Sequence, residues 1–226
     1  MARESYQEKL ESLQGDVLYM SEVVTDRLQL ALEAMEQKDD DTAWDVIEGD
    51  DEINELYLDL EQDCIDLLAL QQPVAGDLRL IASSFKILTD LERVADLAAN
   101  LAEYTLDAER DMFPEVDIQA IGDTTIEMIS DAMDAYANAD VDACFEIAGR
   151  DDDLDDRCHR ASTAVMRDLI ETEVEDDTSE AEVEALMQDV SRLLLTIRDL
   201  ERIGDHAVNI CARTLYMVEN DDELIY

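Results

Sequence analysis

The chain has 226 residues, 47% of them hydrophobic, with 60 Asp and Glu against 16 Lys and Arg and a net charge of −44. That length and apolar fraction suffice to bury a sizeable core in one large or two small domains. They exclude the disorder that an acidic, aromatic-poor composition otherwise suggests. A surface this acidic repels phosphate backbones, so no nucleic-acid partner is expected.

Only three of the cations are lysines, Lys9, Lys38 and Lys86. Self-repulsion at −44 is tolerable in molar salt, where the Debye length falls to about 3 Å. The composition therefore reads as a cytoplasmic protein of an extreme halophile, an archaeon, and the charge describes the solvent more than the function. No apolar run approaches the roughly 18 residues of a membrane span. The opening "MARESYQEKLESLQGD" has no apolar signal core. Neither membrane insertion nor secretion is expected. Cys64, Cys144, Cys158 and Cys211 are scattered, with no CxxC pair, and read as core thiols.

Apolar residues recur every three or four positions, without sustained alternation and without an Asn-Gly or Asp-Gly hairpin. The expectation is an all-α protein of six long antiparallel helices: 5–37, 40–71, 76–109, 116–138, 140–173 and 179–219. The last carries the apolar stripe Val190, Leu194, Ile197, Leu200, Gly204, Val208, Cys211 and Leu215. The first three helices are echoed by the last three. "ALEAMEQKDDDTAWDVIEGDDEIN" (Ala31–Asn54) lies on "AMDAYANADVDACFEIAGRDDDLD" (Ala132–Asp155) without a gap. Trp44 falls on Phe145, Asp50 on Asp151 and Asn54 on Asp155. The phrase "DLERVADLAANL" (Asp90–Leu101) returns as "DLERIGDHAVNI" (Asp199–Ile210). The second copy carries extra residues, placed most simply in the acidic loop "EVEDDTSE". The chain thus divides into two tandem three-helix bundles, 1–112 and 113–226, with the boundary near Pro114.

On a helix, positions i, i+4 and i+8 drift slowly around one face. Glu201, Asp205 and Asn209 form such a ladder, and Glu92, Asp96 and Asn100 form its copy. Leu194, Val208 and Ala212 lie within about 20° of Glu201 on the helical wheel, so the ladder borders the apolar stripe. Carboxylates beside apolar packing are costly unless a cation compensates them. Two oxygen ligands one turn apart can grip a hard or borderline metal ion. The middle helices offer Asp50 with Asn54, and Asp151 with Asp155. Acids exceed a quarter of this chain, so such spacings also arise by chance on a solvated face. The repetition of the phrase in register is what chance does not supply. Arg93 and Arg202 pair with nearby acids on the plainer reading.

"DLERIGDHAVNI", "DLERVADLAANL", "VIEGDDEIN" and "QQPVAGDLRLI" together resemble the PhoU family of phosphate-uptake regulators, over essentially the whole chain. The resemblance implies two tandem three-helix bundles, each with an E(D)xxxD motif on its third helix. It implies that Glu92 with Asp96, and Glu201 with Asp205, ligate multinuclear metal clusters, iron or zinc. Val94-Ala95 stands where the family has Ile-Gly. It also implies a regulator without a catalytic cycle, docked on the cytosolic side of a phosphate ABC transporter, at its ATPase subunit, and on a signalling protein.

His206 and His159 read as structural. GxGxxG, GxxxxGK[ST], HExxH and GxSxG are absent from the sequence. One alternative is a di-metal carboxylate enzyme, which would need Glu-x-x-His on two helices. The chain has none, and Asp156-x-x-His159 is a poor substitute. The other alternative is a metal-free structural or chaperone-like bundle. Apolar residues beyond one seam point to a homodimer.

Overall fold

The computed structural model describes residues 2–70, 74–107, 116–171 and 179–224. All regular structure among them is helical: α1 (Ala2–Gln37), α2 (Asp40–Glu48), α3 (Asp50–Leu70), α4 (Ala75–Leu106), α5 (Ile118–Asn138), α6 (Val141–Glu171) and α7 (Glu180–Glu219). The second expected helix is written as α2 and α3, separated by Gly49 alone. Arg27 explains the interruption. Its Nη1 donates to the Asp45 carbonyl (2.8 Å), the same oxygen that accepts from the Gly49 N–H. A side chain competing for a helical carbonyl distorts the ladder there. The guanidinium also fills the space a Cβ at Gly49 would need. The expected division between residues 112 and 113, with Pro114, lies outside the described residues. So does most of the acidic loop 173–180.

The repeat is visible in the turns. Lys38 and Ala139, matched positions of the two halves, both adopt left-handed backbone at φ 53°. The next residue returns its N–H to a carbonyl five back in each copy, Asp39 to Ala34 and Asp140 to Ala135. This is the Schellman end of a helix. Asp39 and Asp140 then each place Oδ1 on a backbone N–H of the following helix, a cap that starts it.

The helices share one continuous apolar core. At its centre α4 and α7, which carry the two copies of the phrase, pack against each other. They run antiparallel. Arg79 lies at Met217, Ser83 at Arg213, Asp90 at His206 and Tyr104 at Asp199. Of the expected α7 stripe, every member is buried except Leu194, which is half-buried. All four cysteines are buried free thiols, as expected. Among the described residues no helix is long and apolar enough to cross a membrane.

The seam between α4 and α7 is polar at two places. Asp90 Oδ1 meets His206 Nδ1 (2.9 Å) and accepts from Asn209 Nδ2 (3.3 Å). Asp199, 0% exposed, accepts from Tyr104 Oη (3.0 Å) and from Arg198 Nη2 (2.7 Å), and forms a longer ion pair with Arg202 (3.7 Å). Both acids open the repeated phrase. A buried carboxylate whose partner is removed, or a partner whose carboxylate is removed, costs about 3–5 kcal/mol when neither can rehydrate. Arg198 and Arg202 are about half exposed and can regain water. Asp199→Ala is therefore expected to cost about 2 kcal/mol, mostly from the stranded Tyr104 hydroxyl and the lost charge-assisted bonds. Denaturant melts of the two proteins in high salt measure it; a loss below about 0.5 kcal/mol would show that the seam does not depend on this acid.

Candidate functional site

In the second half, Glu201 and Asp205 on α7 stand one turn apart and face Asp151 and Asp155 on α6. The four expected residues influence one another. Burial pushes the Asp151 carboxyl up to about 6, reinforced by Asp155, Asp205, Asp152 and Glu201. Glu201 is raised by burial, then by Asp155 and Asp205, with His159 opposing. Asp205 is raised by burial and then by Asp155, with His206 and Arg202 opposing. A carboxylate with a raised pKa makes its ionised form costly. At neutral pH Asp151 therefore subtracts from stability, and the cost shrinks as pH falls below about 6 and is gone below the ordinary carboxylate value of about 4. A bound cation reverses that sign.

Gly204 lets α6 come this close. A Cβ there would stand 3.3 Å from Asp151 Oδ1 and would collide with the Leu154 side chain. Asp151 Oδ1 is buried and has no hydrogen-bond partner. A buried oxygen in that state is unfavourable as it stands.

In the first half, Glu92 and Asp96 on α4 face Asp50 at the start of α3. Burial raises Glu92 first, then Asp96 and Asp50, with Arg93 and His206 opposing. Asp96 is raised by burial and Asp50, and is opposed by Arg93 and by Arg202 from across the seam. Asn54 Nδ2 donates to Asp50 Oδ2 (2.8 Å). This cluster has three carboxylates and a neutral amide where its copy has four carboxylates. Ala95 replaces Gly204.

The chemistry of the donors fits a hard or borderline cation: oxygen ligands only, crowded negative charge, half-buried against apolar packing, and one orphaned oxygen. Their present side-chain positions do not close around one point. Among the described residues no three His, Cys, Asp or Glu stand close enough to hold a metal ion. Holding one would require rotamer changes at exposed Asp96, Asp155 and Asp205.

Two members of the phrase have roles that the spacing did not reveal. Asn209, the third rung of the ladder, serves the seam through Asp90 and not the carboxylate cluster. Asp90 and Asp199, in register with the ladder acids, turn into the seam, to His206 and Tyr104 respectively. His206 is structural, as expected, bound to Asp90 and 9% exposed.

The PhoU domain matches residues 17–105 and 118–214, and each match contains one copy of the phrase. The chain belongs to the PhoU family. A Clostridium acetobutylicum relative, described as a phosphate-specific transport system accessory protein PhoU homolog, is 32% identical over 221 residues and 96% of each chain. The PhoU accessory protein of Escherichia coli K12 is 31% identical over 216 residues, covering 95% of this chain and 85% of that one. The crystal structure of PhoU from Pseudomonas aeruginosa superposes with a TM-score of 0.86 at 29% identity, over 96% of this chain and all of that one. That of the phosphate transport system regulatory protein PhoU from Streptococcus pneumoniae gives 0.85 at 25% identity, over 96% and 98%. The Clostridium and Escherichia relatives are described as accessory proteins of a phosphate-specific transport system.

Proposed function

We propose that this PhoU protein regulates phosphate uptake from the cytosolic side of a phosphate ABC transporter, docking on its ATPase subunit and on a signalling protein as a homodimer. What carries the reading is near full-length similarity to phosphate-specific transport system accessory proteins. The protein is placed in the cytoplasm of a halophilic archaeon, on the strength of the −44 charge and the three lysines. An anionic membrane surface repels such a chain, so docking goes through protein and not lipid. Each half, 1–112 and 113–226, contributes one bundle with its own carboxylate cluster, the two sharing one apolar core.

The metal proposal is specific. Glu201, Asp205, Asp151 and Asp155 would hold ions in one bundle, and Glu92, Asp96, Asp50 and Asn54 in the other, with iron or zinc as the expected ions. A bound ion would supply the positive charge that these carboxylates lack. The chain's own contribution is to hold them in register on facing helices and to shield them partly from water. The metal-free structural bundle remains the competing reading, favoured by the open spacing of the carboxylates.

The test is a deletion strain. Deletion is expected to disturb phosphate uptake and the phosphate-responsive genes, and a plasmid copy is expected to restore both. Normal uptake and normal expression in the deletion strain would remove this function.

A further inference from the structure

One end of the α4–α7 seam carries cations without an acid partner among the described residues. Arg79 Nε donates to the Met217 carbonyl (3.2 Å), and the Ser83 hydroxyl donates to the Arg213 carbonyl (2.9 Å). Arg213 and Met217 are one turn apart on α7. Arg79, Ser83 and Lys86 are successive turns of one α4 face. Residues at such spacings are neighbours on a helix surface. Arg79 and Lys86 thus stand on the α4 face that carries Ser83, and Arg213 on the facing turn of α7, whose backbone carbonyl Ser83 binds. None of the three has an acid within ion-pair distance among the described residues. The Arg213 Nε is buried without a hydrogen-bond partner.

The other end of the seam is the internal control. The repeat places Gln188, Leu195 and Tyr104 at the matching positions. That end has no cation at these three, and the cation at the match of Ser83, Arg192, is paired with Asp189 (3.1 Å). Tyr104 reaches Asp199 there (3.0 Å). Arg213, its counterpart, has no such acid to reach, because Asp90 is already engaged by His206 and Asn209. In a chain with 60 acids and 16 cations, three neighbouring cations without an acid partner are unexpected on packing grounds.

We propose that Arg79, Lys86 and Arg213 form a binding site for a tetrahedral oxyanion, inorganic phosphate, at this end of the seam. Guanidinium groups present paired donors that match phosphate oxygens, and the lysine adds a point charge. The −44 charge does not forbid it. In molar salt, repulsion beyond about 3 Å is screened and only contacting groups matter. The choice of phosphate over other oxyanions rests on the transport reading above; the site itself does not.

The test uses the full chain, titrated with potassium phosphate at constant molar ionic strength and followed by calorimetry and thermal unfolding. The comparison is R79Q/K86L/R213Y, which installs the residues that the other end of the seam already accommodates. The wild type is expected to bind phosphate and melt higher in its presence. The triple variant is expected to bind about tenfold more weakly or less, with unchanged helicity and melting when phosphate is absent. If the triple variant does not fold, K86L alone, at an exposed position, is expected to show a smaller loss of the same sign. No phosphate-dependent signal in the wild type, or equal affinity in the variants, overturns the site. Sulfate binding as tightly as phosphate overturns the phosphate assignment. A poly-glutamate peptide that binds where phosphate does not would give the seam to an acidic protein segment instead, and overturns it too. None of these failures touches the transport reading, which the deletion strain decides separately.

Discussion

Changing Glu201 and Asp205 together to alanine is expected to strip the metal from the second bundle and leave the first loaded. Glu92 and Asp96 changed together should do the reverse, and the four-fold variant should be empty yet helical. The reason is electrostatic. Burial and neighbouring carboxylates raise Glu201, Asp205, Glu92 and Asp96 together. Ionising such a cluster is favourable only with a cation in it. The apolar stripes beside the clusters are untouched by these changes, so the helices should persist. Proton competition gives a second readout. Burial and the surrounding carboxylates push the Asp151 carboxyl up to about 6, and metal binding requires its ionised form. Lowering pH from about 7 to about 5 should therefore release the second bundle's metal, while the metal-free fold gains stability over the same window. Metal per chain is read by mass spectrometry on protein never exposed to nickel resin or chelator. A wild type without stoichiometric metal, or double variants with a full load, would reduce the phrase to a packing and salt-bridge motif.

Dilution from about 1 M to about 0.1 M salt is expected to unfold the metal-free protein. The screening length grows from about 3 Å to about 10 Å. Each carboxylate then feels the next turn and the facing helix as well as its contacts. The ion pairs that could offset this are few. Among the described residues Arg150 spans Glu127 and Asp131, and the mostly buried Arg27 reaches the exposed Glu52; a pair with a solvated partner contributes about 0–1 kcal/mol. Circular dichroism at 222 nm through a dialysis series measures it. Helicity unchanged at low salt, with no divalent metal present, would sink the halophilic reading.

The central polar seam was only half legible in the sequence. Register nominated Glu92, Asp96, Glu201 and Asp205, because they sit at helical spacing beside apolar residues. The same register held Asp90 and Asp199. Nothing in their local spacing announced that they turn inward to the other half. Which acid faces solvent and which faces the seam depends on where the second helix lies, and that is a contact across more than 90 residues of chain. The Gly49 interruption was hidden for the same reason. Its cause, the Arg27 guanidinium, lies on another helix.

The all-helical class, the approximate helix bounds apart from the break at Gly49, the tandem repeat and the buried stripe of α7 were determined by sequence alone. They follow from interactions within a few residues, where the 3.6-residue period and capping chemistry are written directly. The antiparallel pairing of α4 with α7, the division of the phrase between seam and carboxylate cluster, and the cations without acid partners near Ser83 were decided only by the tertiary structure. Those features depend on which faces meet. Two copies of one phrase allow several pairings, and side-chain packing between distant helices selects one.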